Sequence, residues 1–119
     1  MESSVRVETW LWLAQRISAA VLAVCIAVHI ATMIIAMQGG LSTAEIAGRV
    51  AGNPVWLAFY GVFLGAVTVH APIGIRTVLL ETTSLSENRV RLLTMLMGLF
   101  VAVLGVRTIY GLFQMGAGT

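Results

Sequence analysis

Residues 17–37 read ISAAVLAVCIAVHIATMIIAM, a run of 21 residues without a single charge. A bilayer core is crossed by about 20 apolar residues in a helix that rises about 1.5 Å per residue. Two more stretches share this character, at residues 54–75 and from residue 92 to about residue 113, the last interrupted by Arg107. Allowing for flanking turns, we predict three membrane-spanning helices, over residues 10–37, 54–80 and 86–114. Together they predict an all-α integral membrane protein.

The composition of the chain agrees with a membrane location. Of its 119 residues, 59% are hydrophobic and 10% are charged, whereas soluble domains have about 45–50% and about 25%. The formal net charge is only +2, and Cys25 is the single cysteine. These values exclude an ordinary soluble enzyme, a disulfide-stabilised scaffold, a disordered tail and a nucleic-acid-binding protein. We predict one domain, residues 1–119, whose first helix is retained and not cleaved as a signal peptide.

The arginines predict how the helices are oriented in the membrane. Only Arg49 lies in the first connection, whereas the N-terminal segment and the second connection share Arg6, Arg16, Arg76, Arg89 and Arg91. Because arginine accumulates in cytoplasmic segments, we expect the N-terminus and the second connection in the cytoplasm. The first connection and the C-terminus then lie outside.

Both connections contain the sequence pattern of a helix start. Ser42 and Ser84 are each followed, three residues later, by a glutamate, which is the capping-box pattern. The first pattern predicts a short surface helix over residues 43–51, between spans one and two. The second predicts the start of the third span.

Histidine is rare within membrane helices, which makes His29 and His70 the first candidates for function. On a helical wheel, His29 shares a face with Ser18, Cys25 and Thr32, and we expect this face to lie against protein or a cofactor. A plain hydrogen bond between helices is the alternative explanation for a single membrane histidine.

Arg107 is the third polar residue that stands out. It shares a wheel sector with Tyr110 and Gln114, away from the face that holds Gly98 and Gly105. Because the helix ends within about two turns, the guanidinium can extend to the outer membrane surface. Binding of a carboxylate from a cofactor or a partner chain is the other interpretation.

The segment from His70 to Glu81 resembles a family signature. It reads HAPIGIRTVLLE and is similar to the pattern H-x3-G-[IL]-R-x4-[DE] in the cytochrome b membrane subunit of succinate dehydrogenase and fumarate reductase. Residues 15–19, QRISA, resemble the segment H-R-[IV]-S-G at the start of the first helix in that family. Gln15 stands where the family has histidine, Ala19 where it has glycine, and Trp12 where it often has serine.

The resemblance implies a membrane anchor in a respiratory complex of four subunits. The partners implied are a flavoprotein subunit, an iron–sulfur subunit and a second hydrophobic anchor subunit, in a bacterial or archaeal cytoplasmic membrane. Succinate chemistry would take place in the flavoprotein, while this chain would hold haem b and form part of a quinone site. His70 would be the axial ligand of the haem iron. Arg16, Arg76 and Ser18 would lie near the quinone or the haem propionates.

The depth of the two histidines favours a second haem. Arg16 precedes His29 by about 20 Å of helix, and Arg76 follows His70 by about 9 Å. If both arginines mark the cytoplasmic surface, the histidines differ in depth by about 10 Å. We therefore expect two haems, an inner one at His70 and an outer one at His29, each completed by a histidine of the companion subunit. Arg107 and Tyr110 would meet propionates of the outer haem.

Three other classes of protein stay open at this point. A haem-free structural anchor would use the same helices, with both histidines as hydrogen-bonding residues. A cytochrome b subunit of a hydrogenase or formate dehydrogenase would also contain membrane histidines, although it typically has more spans. A small transporter is disfavoured because the spans contain no central Asp or Glu.

Overall fold

The computed structural model describes residues 2–117, and side chains over residues 3–114. Four helices follow one another: α1 (Glu2–Gln38), α2 (Thr43–Val50), α3 (Pro54–Thr82) and α4 (Glu87–Ala117). Helices α1, α3 and α4 are long and apolar enough to cross a membrane, and the described residues contain no strand. The predicted all-α fold with a short helix between spans one and two is confirmed. The ends of the predicted domain, positions 1, 118 and 119, lie outside the described residues.

Helix α3 is the centre of the bundle. It packs against both α1 and α4, while α2 packs against α4. The bundle measures 56 × 24 × 23 Å, and the 37 residues of α1 account for this length at about 1.5 Å per residue. Helix α1 begins eight residues before the predicted span.

The helices meet through small side chains. The buried residues are Ser18, Leu22, Cys25, Ala36, Ala47, Ala66, Val90 and Thr94. Large aliphatic and aromatic side chains cover the outer surfaces of α1 and α4, where most of them are exposed. An apolar exterior of this kind requires lipid or a companion protein around it.

A glycine, Gly40, terminates helix α1. Gly40 has a φ of 66°, the Leu41 N–H donates to Ala36 O and the Gly40 N–H donates to Met37 O. This is the Schellman arrangement, in which a glycine in the left-handed region closes a helix.

Helix α2 confirms the predicted surface helix. The Ser42 side chain accepts a hydrogen bond from the Glu45 N–H, and Ala51 is the C-terminal cap. Gly52, with a φ of 76°, then turns the chain toward Asn53. The Asn53 Oδ1 accepts from the Val55 N–H and so caps the start of α3.

The start of α4 corrects one prediction. The cap is Ser86 and not Ser84, because the Ser86 Oγ accepts from the Arg89 N–H at 3.3 Å and Ser86 O accepts from the Val90 N–H. The Thr83 side chain accepts a hydrogen bond from the Leu85 N–H, and residues 83–85 lie outside the helix. The capping-box pattern at Ser84 identified the correct region with the wrong residue.

Candidate functional site: two histidines at different depths

His70 lies on α3 where that helix faces α1. Its Nδ1 is 3.3 Å from Ser18 Oγ, and Ser18 is only 5% exposed. The Ser18 hydroxyl also donates to Gln15 O, at 3.1 Å. The structure therefore brings together two residues that were singled out separately from the sequence.

Gln15 fills the space next to this pair. Its Oε1 is buried and has no hydrogen-bond partner among residues 3–114. Its Nε2 lies 3.1 Å from the position that a Cβ on Gly74 would occupy. Gly74 thus lets the Gln15 amide lie close to the α3 backbone, with its Oε1 left unpaired among residues 3–114, although buried polar atoms are ordinarily hydrogen-bonded.

His29 lies on α1 and has an aromatic environment. Its Nδ1 is 3.5 Å from the Tyr60 hydroxyl, and the rings of Tyr60 and Phe63 both approach it edge to face. Neither aromatic residue was singled out from the sequence. The cluster of aromatic residues at the start of α3 (Trp56, Phe59, Tyr60 and Phe63) was the available signal.

The two histidine contacts fix the register of α1 against α3. Ser18 opposes His70 and His29 opposes Tyr60, so the histidines differ in depth by about 16 Å along the helix axes. The depth difference of about 10 Å expected from the sequence is therefore too small. The expectation placed Arg16 and Arg76 at one level, but in this register Arg76 is level with residue 12 of α1, about 6 Å from the level of Arg16.

Arg76 forms an ion pair. Its Nη2 is 2.9 Å from Glu8 Oε1, with the side chains 24% and 61% exposed. Glu8 was not singled out from the sequence, although it is one of two acidic residues before the first span. The pair joins the N-terminal part of α1 to the C-terminal part of α3.

Arg16 does not share this position. Its side chain is exposed, and its guanidinium lies over the Trp12 ring at 5.5 Å from the ring centroid. The residue that stands where the family often has serine therefore forms a cation–π contact with the arginine.

A cleft of about 770 Å³ opens beside the ion pair, between α1, α3 and α4. Its polar lining residues are Ser3, Ser4, Glu8, Thr68, Arg76, Glu87, Asn88, Arg91 and Thr94. The apolar part of the lining includes Leu11, Ile73 and Leu99. The start of α1, the end of α3 and the start of α4 meet at this end of the bundle. We call it the arginine-rich end, because these segments contain Arg6, Arg76, Arg89 and Arg91.

Arg107 and Tyr110 are exposed on α4, and the Gln114 Nε2 donates to the Tyr110 hydroxyl at 2.9 Å. The face that holds Gly98 and Gly105 packs on α3, since a Cβ at either glycine would touch Pro72 or Leu64. The predicted division of α4 into two faces is correct, and the structure brings neither Arg107 nor Tyr110 into a contact with His29 among the described side chains.

No cluster of three or more His, Cys, Asp or Glu that could hold a metal ion is present among the described residues. A metal site at either histidine would therefore not be a cluster of these side chains from the described part of the chain.

Three apolar helices that can span a membrane, with histidines on their facing surfaces, define a multi-pass membrane protein with intramembrane polar sites. A family model described as succinate dehydrogenase/fumarate reductase transmembrane subunit matches residues 3–106. The chain belongs to this family and is a transmembrane anchor subunit of such a complex. No curated protein and no solved structure shows a significant match to the chain.

Proposed function

We propose that this chain holds haem b in the membrane domain of a succinate:quinone oxidoreductase or quinol:fumarate reductase, with His70 as an axial ligand. The observation that carries the proposal is the position of His70. Its ring is partly buried between α1 and α3, and its Nδ1 faces the Ser18 hydroxyl. Metal-binding histidines usually engage the second ring nitrogen in such a hydrogen bond, which leaves the other nitrogen for the metal.

The surrounding residues fit a group that is supplied from outside the chain. His70 is partly exposed, so α1 and α3 do not enclose its ring. The buried Gln15 Oε1 without a partner among residues 3–114 lies in the same region, as does the closely approached backbone at Gly74. The space directly beside Gly74 is filled by the Gln15 amide, so a bound macrocycle requires that side chain to move.

Haem b, when bound, supplies a one-electron carrier between the iron–sulfur subunit and the membrane quinone. The chain's own part is to hold the His70 ring at a fixed depth, through its contact with Ser18. The apolar residues of α1 and α3 keep water away from this level of the membrane. Arg76, with Glu8, offers a charged group about 9 Å further along α3 toward the arginine-rich end.

The partners follow from this function. A flavoprotein and an iron–sulfur subunit would bind at the arginine-rich end, which we place in the cytoplasm of a bacterium or archaeon. A second hydrophobic subunit would cover part of the apolar exterior. Gly61 and Gly65 on α3 support this, because a Cβ added at either glycine would have no neighbour within 4 Å, so their side of α3 is open to another helix.

We also propose a second haem, with His29 as its ligand and Arg107 and Tyr110 near its propionates. The parallel between the two histidines supports it: each directs Nδ1 at a hydroxyl on the facing helix, Ser18 for His70 and Tyr60 for His29. Their separation of about 16 Å along the helices excludes a shared iron.

The quinone site is proposed near Arg16, Arg76 and Ser18, at the arginine-rich half of the bundle. Arg76 borders the cleft of about 770 Å³, and Arg16 presents an exposed guanidinium on another side of α1. The two arginines therefore offer separate positions for a quinone carbonyl or a propionate.

The test is a reduced-minus-oxidised visible spectrum of the purified complex, with a haem determination per complex. We expect His70→Ala and His29→Ala each to lose one haem and keep the other, so that each variant controls for general misfolding in its counterpart. A complex without haem would refute the proposal. One haem in the wild type, or two haems retained in His29→Ala, would refute the second site.

A haem-free structural anchor is the second candidate, and one observation favours it. Both histidines already have a hydroxyl partner within the chain, as a plain interhelical hydrogen bond requires. The same spectrum separates the two functions, because a pure anchor shows no haem b band while it still copurifies with the flavoprotein.

A further inference from the structure

We infer that Ser18 is a positioning residue for His70, which fixes the protonation of the imidazole ring so that Nε2 is free to bind iron. The inference rests on the proposed haem at His70. It gives Ser18 a role different from contact with quinone or propionate.

The Ser18 hydroxyl has a single proton, and Gln15 O, which can only accept, lies within reach of it. A serine hydroxyl has one hydrogen to donate and two lone pairs that accept. In the structure it donates to Gln15 O at 3.1 Å, one turn earlier on α1. Hydrogen bonding of this kind, back to a carbonyl three or four residues earlier, is common for serine in helices.

The same oxygen lies 3.3 Å from His70 Nδ1. Because its proton is engaged with Gln15 O, the Ser18 oxygen accepts from His70, and Nδ1 carries the hydrogen. A neutral imidazole has one protonated nitrogen, so Nε2 keeps its lone pair. This is the tautomer that binds iron through Nε2.

Burial makes this arrangement selective. Ser18 is 5% exposed, so no bulk water competes for the Nδ1 hydrogen at this position. A hydrogen bond to the far nitrogen also raises the basicity of a metal-binding histidine. A more basic ligand stabilises ferric over ferrous haem, so Ser18 lowers the reduction potential of the haem at His70.

His29 differs from His70 in this respect. Among residues 3–114, the Tyr60 hydroxyl has no hydrogen-bond partner besides His29, so it can either donate to His29 Nδ1 or accept from it. Only at His70 does a second acceptor, Gln15 O, fix the direction of the hydrogen bond.

The experiment compares Ser18→Ala, Ser18→Thr and Cys25→Ala in the whole purified complex. Cys25 is the matched control because it lies two turns from Ser18 on the same helix and is 4% exposed. The readouts are the rate of haem loss in detergent and a redox titration of the haem band that His70→Ala removes.

For Ser18→Ala we expect haem affinity to fall about tenfold or more. We also expect the haem to become easier to reduce by about tenfold in equilibrium constant, a rise of about 59 mV for one electron. Ser18→Thr keeps the hydroxyl and should restore both values, and Cys25→Ala should match the wild type. If Ser18→Ala carries no haem at all, haem retained by Ser18→Thr supports the inference.

Wild-type potential and retention in Ser18→Ala would overturn the inference while leaving haem at His70 intact. An equal shift in Cys25→Ala would also overturn it, since the effect would then come from packing. So would a Ser18→Thr variant that loses haem as Ser18→Ala does. A wild-type complex without a haem b band would instead refute the proposed function, and the role of Ser18 with it.

Discussion

Replacing Gly105 with alanine tests how closely α4 packs on α3. A Cβ at this position would overlap with Leu64 Cδ1 and lie 3.0 Å from Leu64 Cγ. Leu64 must then change rotamer or the helices must separate. Overpacking of this kind costs about 1–3 kcal/mol.

Two other glycines of α4 provide a graded comparison. At Gly98 an added Cβ would lie 3.1 Å from Pro72 Cγ, and at Gly111 it would meet nothing within 4 Å. The gain in helix propensity from glycine to alanine, about 1 kcal/mol, applies to all three positions. The differences between the variants therefore report packing, and we expect destabilisation in the order Gly105, Gly98, Gly111.

Labelling of Cys25 provides the assay for this packing. The register of α1 against α3 places Cys25 level with residues 63–64 of α3, the level of Leu64. It is the single cysteine of the chain and is buried. A fluorescent maleimide in detergent labels it only when the packing opens, and the 12.7 kDa band separates this chain from the other subunits. When opening and closing are fast, the labelling rate follows the opening equilibrium.

The expected magnitude follows from the packing cost. Relative to Gly111→Ala, 1–3 kcal/mol corresponds to labelling of Gly105→Ala that is about 5- to 150-fold faster. Adding Leu64→Ala to Gly105→Ala should remove most of this excess, because the overlapping side chain is gone. Equal labelling rates in the three alanine variants, or no rescue by Leu64→Ala, would refute the close packing of α3 on α4.

Three further predictions concern other parts of the chain. Glu8→Gln removes the ion pair with Arg76 at a half-exposed site and should lower the free energy of unfolding by about 0–1 kcal/mol. The resulting decrease in Tm should be smaller in high salt, and a decrease that does not depend on salt would contradict the prediction. Ser42→Ala removes the cap of α2 and should destabilise this helix by about 1 kcal/mol. Amide hydrogen exchange should then be faster over residues 43–50 and unchanged in α3, and an equal increase in both helices would contradict the prediction. Arg16→Ala should reduce succinate-dependent quinone reduction while dye-linked succinate oxidation, which bypasses the membrane, is retained; equal loss in both assays would indicate an assembly defect.

The fold follows from sequence because the membrane constrains it so strongly. Long uncharged runs can satisfy their backbone hydrogen bonds in lipid only as helices, which is why the three spans and the Ser42 cap could be predicted. The cap at Ser86 was missed because two serines, Ser84 and Ser86, precede Glu87, and local pattern alone does not decide between them.

The sequence singled out the candidate residues one by one, whereas their contacts could not be predicted. Ser18 and His70 were each found from residue type and motif, but their contact depends on the register of α1 against α3. No local signal sets that register: it results from the fit of small side chains between helices. The same lack of register information made the depth difference inferred from Arg16 and Arg76 too small, and it hid Tyr60 as the neighbour of His29.

The order of the three spans along the chain has a consequence for biosynthesis. Ser18 and Gln15 belong to the first span and His70 to the second, so both sides of this contact are synthesised before the third span. Helix α2, by contrast, packs on α4 and must wait for the last segment of the chain. Synthesis from the N-terminus thus makes the histidine environment first and closes the opposite end of the bundle last.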